Sequence, residues 1–353
     1  MVNYPITFNG AILERNSEAL AVDEIVFAGP LEAGQVLVRI HYSGICGKQI
    51  EEIEGTGGPD PYLPHMLGHE GSGVVVDVGP GVMKVCQGDH VVLHWLKGSG
   101  INATTPIYSR GGKRVNAGWV TSFNEYGVIS ENRLTPIPRE SDSSIACLLG
   151  CAVTTGVGVI LNDANVRPGE SVSVFGCGGV GLMAVQAAAL VHGYPVIAVD
   201  KNPASLKMAL TFGASHAVNS ESDNVVAEIQ QITNGKGTDF AVVAVGKPNV
   251  IELAARASSV PGSVFVVGVP PSDSEITVDA LAIHRQKMFK GSHGGATVPE
   301  RDIPRYLTLY ERGLLKLDKL VSNSVTLDSI NDGVDLMKAG TIIGRCVVDM
   351  TRS

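Results

Sequence analysis

A strand–helix–strand pattern with three spaced glycines constrains this chain most strongly. An apolar run at 171–175 leads into Gly-Cys-Gly-Gly-Val-Gly at 176–181. A helix is predicted over 182–192, and a second apolar run at 195–199 ends on the acid Asp200. This glycine spacing inside a βαβ unit is typical of a dinucleotide-binding fold.

Each glycine of the motif has a physical role in binding a pyrophosphate. Gly176 permits a tight turn, Gly178 lets backbone N–H groups approach the phosphates, and Gly181 lets the helix pack closely on the strand. The helix N-terminus adds N–H donors and a positive dipole end. Gly179 and Val180 lie at this predicted helix start and complete the predicted loop. The alternative is a glycine-rich turn without a ligand, but the intact strand, helix and second strand favour cofactor binding.

The acid at the end of the second strand predicts which dinucleotide binds. Asp200 can accept hydrogen bonds from both ribose hydroxyls, and its charge would repel a 2′-phosphate. The expected cofactor is therefore NAD rather than NADP. Lys201 follows directly and could soften this preference.

Composition excludes several classes of function. The net charge of −8 argues against a nucleic-acid or anionic-membrane partner. No apolar run is long enough to span a bilayer, and the first residues lack the pattern of a secretory signal. Six cysteines scattered over 353 residues do not form a disulfide framework. We therefore expect a cytoplasmic protein with free thiols.

The order of patterns along the chain predicts an α/β protein of two domains. Strand-like runs at 36–42, 73–78 and 90–93 indicate a β-rich domain, whereas 153–293 alternates strands with helices. The predicted β-rich domain covers 1–152 with 294–353, and the predicted Rossmann domain, a doubly wound parallel sheet, covers 153–293. Further helices are predicted at 204–212, 224–233, 250–259 and 301–312, and strands at 216–218, 239–245, 263–268 and 345–350.

Three residues of the β-rich half are candidate metal ligands: Cys46, His69 and Cys151. Zinc binds thiolate and imidazole well, and a catalytic zinc takes three protein ligands and keeps a fourth position open. The spacing alone does not show a site, because a buried cysteine or a hydrogen-bonded histidine is more often structural.

A family resemblance links these residues. The segments GICG (44–47), GHEGSGVVVDVG (68–79), GDHVV (88–92), GCAVTTG (150–156), FGCGGVGL (175–182) and VVGVPP (266–271) occur in this order. Together they resemble the zinc-dependent medium-chain alcohol dehydrogenases. The resemblance implies a GroES-like catalytic domain beside the Rossmann domain, and hydride transfer between NAD(H) and a secondary alcohol, polyol or sugar-like substrate.

The resemblance also assigns roles to residues. It implies one catalytic Zn²⁺ per chain, held by Cys46, His69 and Cys151. Glu70 would be a carboxylate able to approach the metal, or the ion-pair partner of Arg345. The residues expected near the nicotinamide are Val267, Val269 and the 291–293 turn with His293, and Arg345 is a weaker candidate for the pyrophosphate.

The sequence departs from the family pattern beside the first zinc ligand. The family commonly has Ser or Thr two positions after the cysteine, followed by Asp, whereas this chain has Lys48 and Gln49. Lys48 could relay the alcohol proton in place of the hydroxyl, or could be a surface or phosphate-facing lysine. Gln49 would orient the zinc histidine less well than a carboxylate. Glu51 could hydrogen-bond to Lys48.

A second departure lies in residues 94–118. Many relatives hold a structural zinc there with four cysteines, but this segment contains none, so such a site is excluded. Trp95 occupies a position that lines the substrate pocket in the family. The segment reads as a polar loop at the surface or at a subunit contact, or as a pocket for a polyhydroxylated or anionic substrate. Its polar and aromatic residues are His94, Trp95, Lys97, Asn102, Tyr108, Arg110, Lys113, Arg114 and Asn116.

Two other functions remain open at this point. One is a zinc-free quinone or enone reductase of the same superfamily, and the other is an NAD-binding protein without turnover. For the leading hypothesis we expect a small alcohol, polyol or carbonyl substrate. We also expect a homo-oligomer, dimer or tetramer, joined near the apolar strand at 263–269.

Overall fold

The computed structural model describes residues 2–352, which form two compact units. The first contains 2–151, 298–308 and 317–352, and the second contains 152–297 and 309–316. The predicted boundaries differ mainly at 309–316, which was expected in the β-rich domain. Lys316 explains the difference, since its N–H donates to Gln186 Oε1 (2.8 Å) and its Nζ donates to the Thr211 carbonyl (3.2 Å).

The strands are short, and most are bounded by glycine, proline or asparagine turns. In chain order they are β1 (Ile6–Leu13), β2 (Ala21–Phe27), β3 (Gln35–Ile45), β4 (His65–Met66), β5 (Glu70–Val78), β6 (His90–His94), β7 (Ile107–Arg110), β8 (Lys113–Asn116), β9 (Tyr126–Ser130), β10 (Leu134–Ile137), β11 (Val172–Phe175), β12 (Val196–Asp200), β13 (His216–Asn219), β14 (Thr238–Val243), β15 (Ser258–Val266), β16 (Met288–Gly291), β17 (Val321–Thr326) and β18 (Arg345–Asp349).

The helices mostly follow the second unit's strands. They are α1 (Gly47–Glu54), α2 (Ser143–Ala146), α3 (Ala152–Gly158), α4 (Gly179–Leu190), α5 (Pro203–Thr211), α6 (Val225–Ile232), α7 (Pro248–Ala257), α8 (Ala280–His284), α9 (Pro299–Glu311) and α10 (Ile330–Lys338). Predicted helix ends lie within a few residues of these bounds. The largest difference is α4, which begins three residues before the predicted start because the last glycines of the loop already belong to its first turn.

The first unit contains a closed barrel and a seven-stranded sheet. The barrel order is β1-β2-β7-β8-β4, and the sheet order is β10-β6-β5-β3-β18-β17, with β9 also pairing with β3. Buried aliphatic side chains of β3, β5, β6 and β18 form its main apolar core. The sheet matters for function because β3, β5 and β18 carry Cys46, Glu70 and Arg345 at or beside their ends.

Part of the 94–118 segment is regular structure rather than the predicted polar excursion. β7 and β8 form a hairpin through Gly111 and Gly112, whose φ angles of 54° and 77° suit glycine. Tyr108 on β7 is 1% exposed and packs edge-on against Phe8. The alternation of this buried aromatic with polar neighbours is a half-buried strand pattern, which the surrounding glycines and charges obscured.

A buried carboxylate binds one residue in the remaining part of that segment. Glu131, only 2% exposed, accepts backbone N–H groups of Met83 (2.7 Å), Lys84 (2.8 Å) and Ile101 (2.6 Å). A buried carboxylate is stable when several donors replace its lost water. Glu131 therefore links Ile101, in the segment in which the family's structural-zinc cysteines are missing, to Met83 and Lys84.

The second unit is the predicted parallel sheet. Its strand order is β13-β12-β11-β14-β15-β16, and each neighbouring pair is parallel. From β11 the chain adds strands towards one edge of the sheet, as far as β13, and from β14 it adds them towards the other edge. This change of side between β11 and β14 is the dinucleotide-binding topology. The glycine loop follows β11 at that switch point.

Within residues 2–352, no single helix has the length and apolarity needed to cross a bilayer, although Ser143–Gly150 and Ala152–Ala164 pass that test together as a bent pair.

Candidate functional site

The three predicted metal ligands come together in the first unit. Ligand atoms of Cys46, His69 and Cys151 all lie within 4.8 Å of one another. Cys46 follows β3 and precedes α1, and His69 directly precedes β5. Cys151 follows a tight 3₁₀ turn, where Gly150 is required because a Cβ there would lie 2.2 Å from the Leu93 carbonyl oxygen.

A buried ion pair lies beside the cluster. Arg345 Nε is 3.2 Å from Glu70 Oε1, and the two side chains are 5% and 0% exposed. Arg345 also donates to Cys46 Sγ at 3.6 Å. Gly44 leaves room for the carboxylate, since a Cβ at this position would lie 2.5 Å from Glu70 Oε1. The structure thus pairs Glu70 with Arg345 in an ion pair, and Glu70 is not a member of the three-residue metal cluster. The metal role of Glu70 and the cofactor role of Arg345 remain predictions.

The electrostatics favour one thiolate in the cluster. A hydrogen bond from Cys151, together with the nearby Arg345 and His69, lowers the pKa of Cys46 well below its ordinary value. The same bond and burial raise the pKa of Cys151. Burial opposes protonation of His69, but Cys46 outweighs it and raises the pKa of that imidazole. One thiolate can therefore form here before any metal binds, and thiolate is the form that binds zinc.

The donor set fits zinc. His69 is half-buried, and its Nδ1 pairs with the side-chain amide of Gln49. Its Nε2 is shielded from solvent and has no well-formed hydrogen bond among the described residues. A buried nitrogen without such a bond is costly unless another partner satisfies it. Two sulfurs and this nitrogen are a set that tetrahedral zinc uses in catalytic sites.

The first helix places a charged pair beside the cluster. Lys48 Nζ lies 3.2 Å from Glu51 Oε2, and the two side chains are 38% and 40% exposed. The hydrogen bond suggested by the sequence is therefore present. Glu52, on the same helix, is a half-buried carboxylate whose pKa is raised by its burial. Sequence reasoning missed Glu52, because it is one of several polar residues in a short helix and nothing in the pattern distinguishes it from the others.

The second unit presents the glycine loop as predicted. Gly176 has a φ of 90°, and a Cβ on Gly181 would lie 1.8 Å from the Gly176 carbonyl oxygen. A Cβ on Gly178 would meet no atom within 4 Å, so this side of the loop has room for a ligand. Gly179 and Val180 form the first turn of α4, whose N–H groups face the same loop.

Asp200 is held in place at the end of β12. Its Oδ2 accepts the Cys177 N–H (2.6 Å) and its Oδ1 accepts the Asn202 N–H (2.8 Å). Each carboxylate oxygen keeps a lone pair for a further donor. Lys201 is exposed beside it. The position of Asp200 is compatible with the predicted ribose contact, which remains a prediction.

The residues predicted near the nicotinamide follow β15 and β16. Val267 donates its N–H to the Val243 carbonyl (2.9 Å), while Val269 and His293 are exposed. Asp163 supports this turn: it accepts the Ser292 hydroxyl (2.7 Å) and pairs with Lys290 Nζ (2.7 Å). The sequence analysis missed Asp163. Its one distinguishing feature in the sequence is that it is a single acidic residue at the end of an apolar helical stretch.

The polar residues of 94–118 are mostly committed to structural contacts. His94, 1% exposed, donates from Nδ1 to the Leu96 carbonyl (2.7 Å), and its Nε2 accepts from Thr135 Oγ1 (3.0 Å). Arg110 pairs with Asp23 (2.6 Å) and Glu14 (2.7 Å). Trp95 is half-buried and follows His94, whose strand partner is Glu70. The geometry thus favours a structural role for most of the segment and leaves Trp95 one residue beyond the strand partner of Glu70.

Comparison with known proteins decides the family. Residues 32–139 match the alcohol dehydrogenase GroES-like domain, and residues 179–312 match the zinc-binding dehydrogenase domain. S-(hydroxymethyl)glutathione dehydrogenase of Escherichia coli O1:K1 is 32% identical over 351 residues, covering 92% of this chain and 95% of that protein. The chain belongs to the zinc-dependent medium-chain alcohol dehydrogenases.

Solved structures of other alcohol dehydrogenases agree with this family assignment. Benzyl alcohol dehydrogenase of Acinetobacter calcoaceticus superposes with a TM-score of 0.88 at 26% identity, covering 98% of this chain and 99% of that one. An alcohol dehydrogenase zinc-binding domain protein of Burkholderia ambifaria superposes with a TM-score of 0.90 at 28% identity and the same coverage. The predicted GroES-like and Rossmann fold, the zinc and NAD cofactors and NAD-dependent alcohol oxidation are thereby confirmed. The zinc-free reductase is not favoured.

The buried His94 predicts a pH dependence of stability in this alcohol dehydrogenase. Burial lowers the pKa of His94 from 6.5 to about 4, so the unfolded chain binds this proton first as the pH falls. The stability that His94 contributes is complete above pH 6.5 and is lost as the pH falls towards 4. Between pH 7 and 5 the loss should be roughly 2 kcal/mol.

Urea unfolding followed by tryptophan fluorescence measures this loss in the first unit, because Trp95 and Trp119, the two tryptophans of the chain, lie there. His94→Gln should be less stable at pH 7 and should lose less stability on acidification. His284→Gln, at an exposed histidine, is the control and should follow the original protein. An unchanged acid loss in His94→Gln would contradict this assignment.

Proposed function

We propose that this alcohol dehydrogenase interconverts an alcohol and its carbonyl product at a zinc held by Cys46, His69 and Cys151. The convergence of these ligand atoms within 4.8 Å carries the proposal. When bound, zinc supplies a Lewis acid for the substrate oxygen, and NAD supplies the hydride acceptor.

The chain's own residues hold these groups and manage charge. Cys46 and Cys151 provide the thiolates, and Arg345 offsets their negative charge together with that of Glu70. The glycine loop, Gly176 to Gly181, binds the pyrophosphate through backbone N–H groups, and Asp200 accepts hydrogen bonds from the ribose hydroxyls. Asp163 holds the turn that bears His293, next to which the nicotinamide is proposed to bind.

The substrate class is proposed as a secondary alcohol or polyol. Trp95 supports an organic pocket wall, because it directly follows the strand residue that pairs with Glu70. Tyr108 and Arg110 no longer support an anionic pocket, since the first is buried and the second is doubly ion-paired. A panel of aliphatic, benzylic and polyhydroxylated alcohols, read by NADH absorbance, decides among these substrates.

Loss of one thiolate should remove both metal and turnover. We expect Cys46→Ser to lower zinc affinity and NAD-dependent alcohol oxidation by more than about 100-fold, because an alcohol is a far poorer zinc ligand than a thiolate. Zinc content by atomic emission and NADH production measure the two effects. Cys86→Ser, at an exposed cysteine, is the control. Turnover that survives both Cys46→Ser and a chelator would instead support the zinc-free reductase.

Lys48 is proposed to carry the alcohol proton from the site, with Glu51 as its partner towards solvent. The support is the 3.2 Å contact between them and their partial exposure. We expect Lys48→Gln to lower kcat by about 100-fold and to change the pH profile of kcat, while zinc content is unchanged. Lys113→Gln, at an exposed lysine on β8, is the control. An unchanged kcat would make Lys48 a surface residue.

The second unit is proposed to form a homodimer along β16. This strand ends the sheet, and Met288 on it is 59% exposed. Exposed apolar residues of neighbouring segments are Val260 (47%), Val269 (55%), Leu281 (52%) and Ile283 (47%). An open edge with exposed apolar side chains is a usual site of subunit pairing.

A charged edge should prevent this pairing. Sedimentation should show a dimer or a larger assembly for the original chain and a monomer for Met288→Lys with Leu281→Lys. Leu210→Lys on α5, 46% exposed, is the control and should keep the assembly. A monomeric original chain would overturn the proposal.

We also propose a cytoplasmic location. The support is that all six cysteines are free thiols, and cell fractionation tests the proposal.

A further inference from the structure

Gln49 is fixed by two hydrogen bonds to residues of the metal cluster. The residue is 1% exposed and lies in the first turn of α1. Its Oε1 accepts the backbone N–H of Cys46 at 3.0 Å. Its Nε2 pairs with Nδ1 of His69. The Cys46 N–H is a donor only, so the oxygen of the amide must face Cys46 and its NH₂ must face His69.

This orientation determines where the His69 proton lies. An amide NH₂ only donates, so Nδ1 of His69 must accept, and the proton of the neutral ring is then on Nε2. A neutral histidine binds a metal through a nitrogen that carries no proton. Nε2 is the nitrogen that can face a metal, since Nδ1 faces Gln49. The Gln49 bond therefore stabilises the tautomer that does not bind zinc.

We propose that Gln49 sets the tautomer of His69 and thereby weakens zinc binding and makes it dependent on rearrangement of the amide. The inference rests on the proposed function for the identity of the metal site. Gln49 is a positioning residue, because it acts through His69 and does not reach the metal itself.

Metal binding requires a balanced change in hydrogen bonding. His69 gives its Nε2 proton to solvent and takes one proton from solvent at Nδ1, so the ring stays neutral. The Gln49 amide turns over, and its oxygen accepts the new Nδ1–H. The hydrogen bond from Cys46 N–H is then broken, and this N–H faces the NH₂ group of Gln49, so two buried donors face each other. A buried donor without an acceptor is costly, so the loaded state is penalised.

A carboxylate of the same length would remove this conflict. Glu at position 49 has two acceptor oxygens, one for Cys46 N–H and one for His69 Nδ1–H. In metal sites, mutation of a residue that hydrogen-bonds to a metal ligand changes metal affinity by about 10- to 100-fold. We therefore expect Gln49→Glu to bind zinc about 10- to 100-fold more tightly than the original chain.

The first measurement is zinc affinity of the full chain by competition with a chromophoric chelator. The control for added negative charge is Lys48→Gln, which changes the charge of α1 by the same amount one position away and whose Nζ contacts Glu51. We expect its zinc affinity to change by at most about 5-fold, as for other partly exposed charges. Equal zinc affinity of the original chain and Gln49→Glu would overturn the inference, as would an equal gain in Lys48→Gln.

The second measurement locates the proton directly. Nitrogen-15 NMR of histidine-labelled protein, recorded over a pH series that extends until the His69 ring is neutral, distinguishes the two tautomers. His69→Gln identifies the His69 signals. We expect Nε2–H in the metal-free original chain, Nδ1–H after zinc is added, and Nδ1–H in metal-free Gln49→Glu. A proton on Nδ1 in the metal-free original chain overturns the inference.

These results separate the inference from the proposed function. NAD-dependent turnover of the zinc-loaded original chain tests the function alone. Turnover with equal zinc affinities overturns only the Gln49 inference. A tighter Gln49→Glu variant with the expected tautomers but no turnover upholds the Gln49 inference and removes the proposed function.

Discussion

The buried guanidinium of Arg345 is the charge on which the metal cluster depends. Glu70 is fully buried and Cys46 is nearly so, and the pKa of Cys46 lies well below its ordinary value although burial opposes its ionisation. A buried negative charge is tolerated only when a positive group or several donors compensate it. Arg345 contacts both groups, at 3.2 Å and 3.6 Å, and so makes their burial possible.

Strand order delivers this charge to the site. Arg345 begins β18 and is 299 residues from Cys46 along the chain, yet β18 pairs antiparallel with β3, which ends beside Cys46. Glu70 begins β5 on the other side of β3. The sheet order β5-β3-β18 therefore brings carboxylate, thiol and guanidinium together, and the same ordering places His69 next to them.

The cofactor loop could be predicted from the sequence because its parts are contiguous. Strand, glycines, helix and terminal acid lie within thirty residues, and each part has a local physical reason, such as the close approach of Gly181 to the Gly176 carbonyl oxygen. The metal cluster is different. Cys46, His69 and Cys151 are far apart in the chain, and only the family resemblance brought them together before the structure was known. The resemblance placed Gln49 beside the zinc histidine, but the direction of its hydrogen bonds could be assigned only from coordinates. The contacts of Asp163 with Ser292 and Lys290 in the second unit also required coordinates. The β7–β8 hairpin was missed since its single buried aromatic, Tyr108, is surrounded by charges and glycines that are typical of loops.

The carboxylate of Glu131 has a consequence for how this enzyme tolerates its surroundings. Relatives with a four-cysteine zinc lobe depend on sulfur and metal to keep that lobe folded, so oxidants and strong chelators can damage it away from the catalytic centre. Here the Glu131 carboxylate joins Ile101 in the equivalent segment to Met83 and Lys84 before it, without sulfur or metal. Stripping of metal should then affect chemistry at the catalytic centre and leave the fold of this segment intact, so that activity returns when zinc is restored.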